Sequence, residues 1–178
     1  TRRSLEEIGI DDLQAKEILS LKICDPAMGS GHFLLAVVKQ LASTLSRTGF
    51  TPTSANGTPL EVDYRREILS KCIKGIDVNV MAVDLAKLSL WLNTAKKGKP
   101  FIDLKNQLFF GDALISDQSI SESAINLDDA DLSQNDVIIG NPPFIETKLL
   151  REEEKNYLYK KYTSMFENKQ QNFEYKHP

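Results

Sequence analysis

The sequence predicts an α/β fold, a parallel sheet with helices on both faces, and three observations carry the prediction. Short apolar strands alternate with helical apolar stripes. The first strand enters a glycine turn that opens directly into a helix. Each strand ends on a short polar residue, in order Asp25, Asp77, Asp112 and Asn141.

Leu5 to Ser20 has helical apolar spacing, with Gly9 expected to break it. Leu21 to Asp25 is a strand that Pro26 stops. Ala27-Met28-Gly29-Ser30-Gly31 turns, and Leu34, Val37, Val38, Leu41 and Leu45 then follow at amphipathic helical spacing. Thr48 to Pro59 shifts to Gly, Thr, Pro, Ser and Asn, the composition of a surface loop. Tyr64 to Cys72 is helical, and Ile73 to Asp77 is the second strand. Met81, Leu85, Leu88 and Leu92 form the apolar stripe of a helix from Asn79 to Lys96, closed by Gly98 and Pro100, with Trp91 as core packing. Gln107 to Phe110 and Val137 to Ile139 are the third and fourth strands. The connection from Ile115 to Gln134, rich in Asp and Ser, reads as a mobile insertion.

A length of 178 residues with 41% hydrophobic composition supports one domain, or part of one, with a sizeable core. No apolar run spans a bilayer and Thr1 to Glu7 lacks a secretory pattern, so a cytoplasmic location is expected. Cys24 and Cys72 sit in apolar runs and read as reduced buried thiols, with no metal site. The net charge of −3 does not announce nucleic acid. Lys148, Arg151, Lys155, Lys160 and Lys161 are interleaved with Glu152, Glu153 and Glu154, as on a solvated helix face.

In open parallel sheets ligands collect at the carboxyl ends of the strands. The turn Gly29-Ser30-Gly31-His32-Phe33-Leu34 has Leu34 where a dinucleotide site would have its third glycine, and no lysine follows the glycines as in a triphosphate loop. A ligand with a nucleoside and an amino acid but no phosphate fits better, and S-adenosylmethionine is such a molecule. The candidate donor-binding positions are Asp25, Ala27, Gly29, Gly31, Asp77, Val78, Asp112 and Ala113. Glycines let the backbone approach the methionine part. Asp77 can accept from both ribose hydroxyls, and Asp112 from the adenine amine. Val78 and Ala113 could face the ring, and Asp25 could orient the ammonium directly or through the turn. Each acid also has a competing role as a turn or cap residue. His32 reads as a helix-start residue rather than a base.

The candidate catalytic residues are Asn141, Pro142, Pro143 and Phe144. An asparagine amide oxygen and the next carbonyl, stiffened by two prolines, can accept both hydrogens of one planar conjugated amine such as that of adenine. The aromatic ring can clamp the base by stacking.

Taken together, Asp25-Pro26-Ala27-Met28-Gly29-Ser30-Gly31-His32-Phe33-Leu34, Gly75-Ile76-Asp77 with Ala82 to Leu92, Gly111-Asp112-Ala113-Leu114 and Asn141-Pro142-Pro143-Phe144 resemble the gamma-class DNA adenine amino-methyltransferases of restriction-modification systems, most of all the methylase part of type IIG enzymes. The resemblance covers most of Leu21 to Phe144. It implies a class I methyltransferase (Rossmann-like) fold, S-adenosylmethionine as donor, double-stranded DNA as partner and a flipped adenine as acceptor. It also implies a target-recognition region, and in some members a nuclease domain, elsewhere in the polypeptide. Thr1 to Ser4 lack the threonine and proline motif usual upstream. After Phe144 there is a helix-like stretch with Leu149, Leu150, Tyr157 and Leu158 and then a polar end. The chain therefore reads as a catalytic-domain fragment, with an N-terminal helical segment 1–20, a core 21–144 and a C-terminal helical segment 145–178. Protein glutamine and ribosomal RNA guanine methyltransferases carry a similar loop and are the alternatives within the chemistry. A module that binds donor or DNA without turnover is the alternative outside it.

Overall fold

The computed structural model describes residues 5–125, 134–142 and 150–170. The elements are α1 (Leu5–Ser20), β1 (Ile23–Asp25), α2 (His32–Leu45), α3 (Glu61–Cys72), β2 (Ile73–Asp77), α4 (Val80–Thr94), β3 (Leu108–Phe110), β4 (Val137–Ile138) and α5 (Glu152–Gln170). The strands form one parallel sheet in the order β3-β2-β1-β4. The helix over residues 5–20 is unbroken at Gly9, because a glycine in a helix costs only about 1 kcal/mol.

Residues paired in a parallel ladder share a face of the sheet. Ile23 pairs with Ile73, and Gly75 with Leu108. On this face lies the main core, which joins Ala15 of α1, Leu34, Val38 and Leu45 of α2, Ile68 and Leu69 of α3, and Val83, Ala86 and Leu90 of α4. The opposite face carries Cys24 and Ile76 with Phe109, Ala113 and Ile125. Part of the Asp- and Ser-rich connection thus packs onto the sheet. Ile125 N–H donates to Ile115 O (3.2 Å), Ile115 is buried, and Asp112 bridges to Ala124. Residues 126–133 lie outside the described residues.

The helix at 80–94 differs from its sequence pattern in orientation. Met81, Leu85, Leu88 and Leu92 are 76%, 50%, 49% and 67% exposed, while Val83, Ala86 and Leu90 face the core. The reason is steric. Gly31, with φ +80°, brings the turn so close that a Cβ there would lie 3.2 Å from Ala86 Cβ, and the small Ala86 on the inward side of α4 admits that approach. Trp91 is half-buried and packs against the main core, and its Nε1–H donates to Ile102 O at 2.8 Å.

Both cysteines are free and buried. Burial pushes each thiol up to about 11, so both are protonated at neutral pH. No helix among the described residues is long and apolar enough to cross a membrane.

Candidate functional site

β2 and β3 lie to one side of β1 and β4 to the other, so strand order reverses between β1 and β4. A parallel sheet opens a crevice at such a point, beyond the carboxyl ends of the strands. Asp25 ends β1 and Asp77 ends β2. Asp112 follows β3 by two residues, and Gly140-Asn141-Pro142 follows β4. The fold therefore gathers the polar strand ends along one edge of the sheet.

Asp25 is fully buried. Its Oδ1 accepts the Ala27 N–H at 3.0 Å, and its Oδ2 is buried without a hydrogen-bond partner among the described residues. Burial, with the nearby charge of Asp77 as a smaller contribution, raises its carboxyl above the ordinary aspartate value against the lowering effect of the Ala27 hydrogen bond. The glycine turn is held by backbone bonds from Met28 N–H to Ile76 O (3.0 Å) and from Gly31 N–H to Met28 O (2.8 Å). Gly29 adopts φ +54°, a left-handed conformation that other residues take at a cost.

Asp77 is half-buried and links two segments. Its Oδ2 accepts the Gly29 N–H at 2.8 Å and its Oδ1 accepts the Asn79 N–H at 2.8 Å. Asn79 in turn caps α4, accepting the Met81 N–H at 3.0 Å. Each carboxylate oxygen has a second lone pair to offer, so these bonds leave Asp77 capacity for further donors. Asp112 closes its own turn, with Oδ1 accepting N–H groups from Leu114 (2.8 Å) and Ile115 (3.2 Å). Val78 is 57% exposed. Ala113 packs with Phe109 and Ile125 in the second cluster. Phe110, the register partner of Asp77, is half-exposed beside it. His32 is the first residue of α2, with Nδ1 2.8 Å from Ser30 Oγ.

Asn141 and Pro142 are exposed at the end of β4. Pro143 and Phe144 lie outside the described residues. Gly140 belongs to this site although the sequence pattern did not single it out. A Cβ on it would lie 2.6 Å from Asp25 Oδ1. Its one sequence signal is a glycine placed immediately before Asn-Pro-Pro, at a strand end.

Residues 71–175, more than half of the chain, match the Eco57I restriction-modification methylase family model. The chain belongs to this family. Its fold, a parallel sheet with helices, is accordingly that of the class I, Rossmann-like methyltransferases. Among relatives, the type II restriction enzyme and methyltransferase RM.Eco57I of Escherichia coli is 31% identical over 152 residues, covering 74% of this chain and 15% of that protein. The type II methyltransferase M.BstVI of Geobacillus stearothermophilus is 28% identical over 155 residues, covering 85% and 24%. The adenine-specific methyltransferase PglX of Streptomyces coelicolor is 27% identical over 158 residues, covering 72% and 12%. The chain thus spans less than a quarter of the length of these relatives.

Proposed function

We propose that this chain is the donor-binding and catalytic part of a restriction-modification DNA methyltransferase that transfers a methyl group from S-adenosylmethionine to the N6 amine of a flipped adenine. The observation that carries the reading is the meeting of Asp25, Asp77 and the Gly140-Asn141-Pro142 segment beside the switch point of the sheet. Relatives described as type II methyltransferases and one described as adenine-specific support the class of reaction and of acceptor.

The residues fit the donor. A half-buried carboxylate at Asp77 and a turn with two left-handed glycines make an anionic, closely approachable surface for a cationic amino acid joined to a nucleoside, and the buried Asp25 carboxylate behind the turn adds negative potential. Asp77 would hold the ribose hydroxyls. Gly29, Gly31 and Ala27 would carry the methionine part, and Asp25 would orient its ammonium directly or through the turn. Asp112 and Val78 would meet the adenine ring, with Ala113 behind them. When bound, the sulfonium supplies an activated methyl group.

On the acceptor side, Asn141 Oδ1 and the Pro142 carbonyl accept the two amine hydrogens and favour a pyramidal, more nucleophilic nitrogen. Phe144, with Pro143 stiffening the bend, stacks on the base, worth about 1–3 kcal/mol against the few kcal/mol that extrusion costs. Catalysis is mostly positioning, and no general base is needed before transfer.

The test is transfer of a labelled methyl group to DNA, with protein and ribosomal RNA as parallel acceptors, by the full-length protein. Transfer to DNA alone is expected, and Asn141→Ala should slow it by more than about tenfold. Transfer to protein or RNA, or an Asn141→Ala rate within that factor, would refute the assignment.

A further inference from the structure

The Asp25 carboxylate is a buried charge that its surroundings do little to stabilise. It is fully enclosed, accepts one backbone N–H through Oδ1 and none through Oδ2 from any described group. An enclosed carboxylate with an unsatisfied oxygen opposes folding, so stability does not account for it.

Two segments meet on this group. On one side is Ala27, which leads into the glycine turn. On the other is Gly140, which immediately precedes Asn141. A Cβ at Gly140 would stand 2.6 Å from Oδ1, far inside normal contact distance, and 3.7 Å from Oδ2, in ordinary contact. Ile139 N–H donates to Cys24 O at 3.0 Å, which ties the end of β4 to the residue just before Asp25. The carboxylate occupies the space a side chain at 140 would take, and the backbone there, at φ +153°, is itself one that residues with a side chain rarely adopt.

We propose that Asp25 is a positioning residue: wedged between Ala27 and Gly140, its carboxylate sets the Asn141-Pro142 segment against the glycine turn and so holds the acceptor side in register with the donor side. The proposal rests on the donor and acceptor roles assigned above and settles how Asp25 serves them, through the turn and the loop rather than by touching the donor. Asp25 then governs the rate of transfer more than the affinity for donor. Gly140 is its steric complement.

The experiment is a double-mutant cycle in the full-length protein with Asp25→Ala, Gly140→Ala and their combination, together with Asp25→Asn. Three quantities are read: affinity for S-adenosylhomocysteine by calorimetry, single-turnover transfer to DNA, and the melting temperature. Gly140→Ala is expected to leave affinity within about threefold while slowing transfer at least about thirtyfold. In the double variant the new methyl group occupies the space vacated by the carboxylate, so its transfer rate and melting temperature should be no worse than those of the worse single variant. Asp25→Asn should keep affinity within about threefold and slow transfer about fivefold.

Multiplicative rate losses with additive melting shifts would overturn the wedge. Asp25→Asn weakening affinity more than about tenfold at an unchanged saturated rate would make Asp25 a donor contact and overturn the positioning role. A wild-type protein that neither binds S-adenosylhomocysteine nor methylates DNA would instead refute the underlying function, and the catalytic role with it. The melting cycle would still report whether Asp25 and Gly140 are sterically coupled.

Discussion

Asp77 has one role visible in its hydrogen bonds and one that is proposed. It fastens the glycine turn to the start of α4 through the Gly29 and Asn79 N–H groups, and it is the proposed ribose ligand. Charged hydrogen bonds contribute about 1.5–3 kcal/mol each. Asp77→Ala should therefore weaken S-adenosylmethionine binding by at least about tenfold in calorimetry. An unchanged affinity would remove Asp77 from the donor site. The position of Asp77 at a strand end before a helix was legible in sequence because an apolar run, an acid and a helical stripe follow one another in the chain. Its bond to Gly29 was not, since the two residues are far apart in the chain and meet only when β1 and β2 pair. Asp112 shows the opposite case: its turn-forming role, one of the competing readings of any strand-end acid, is visible in its bonds to Leu114 and Ile115, and its role toward adenine remains a proposal.

α3 illustrates how an element can anchor a loop through buried acids. Asp63 is fully buried and accepts from Lys96 Nζ, from Ser54 Oγ (2.6 Å) and from Leu60 N–H (2.9 Å). Glu67 accepts from Thr53 N–H and Thr53 Oγ1, both at 2.6 Å, and pairs with Lys71. Burial pushes both carboxyls upward, but these hydrogen bonds and cations outweigh it and hold them below the usual carboxylate range. A depressed carboxylate contributes stability that is present above its unfolded pKa and lost as pH falls through its folded one. Melting temperature should thus fall steeply below about pH 4, and Asp63→Asn should make that acid limb shallower. An unaltered limb would show that Asp63 does not drive it. Asp25 acts with the opposite sign, because its raised carboxyl relieves a penalty on protonation. Lys96→Met leaves the Asp63 charge without its cation. Removing one partner of a buried pair costs about 3–5 kcal/mol, and because Lys96 keeps some exposure about 2 kcal/mol is expected in urea unfolding. The sequence marked this loop by composition alone. Its attachment to α3 depends on side chains whose partners only folding supplies.

Taken as a fold, the molecule buries one face of its sheet deeply and leaves an apolar stripe on the outside of α4. Met81, Leu85 and Leu88 line a shallow groove with Ser30 and Asn79, beside the carboxyl ends of the strands. Exposed apolar side chains contribute little to the stability of the chain that bears them. Replacing Leu85 and Leu88 together by Gln should shift unfolding free energy by less than about 0.5 kcal/mol per site, while reducing binding of a hydrophobic dye. A loss of several kcal/mol would mean that this stripe is packed in solution.

Strand and helix positions were readable from the chain because apolar period, glycine and proline act locally, and the acid or amide at each strand end marked the edge where donor and acceptor are proposed to meet. Tertiary contact decided which face of α4 turned inward, because the close approach of Gly31 to Ala86 outweighs the larger apolar stripe. It likewise decided that Gly140 lies against the Asp25 carboxylate of a neighbouring strand, because no residue records in its own identity what will be packed against it.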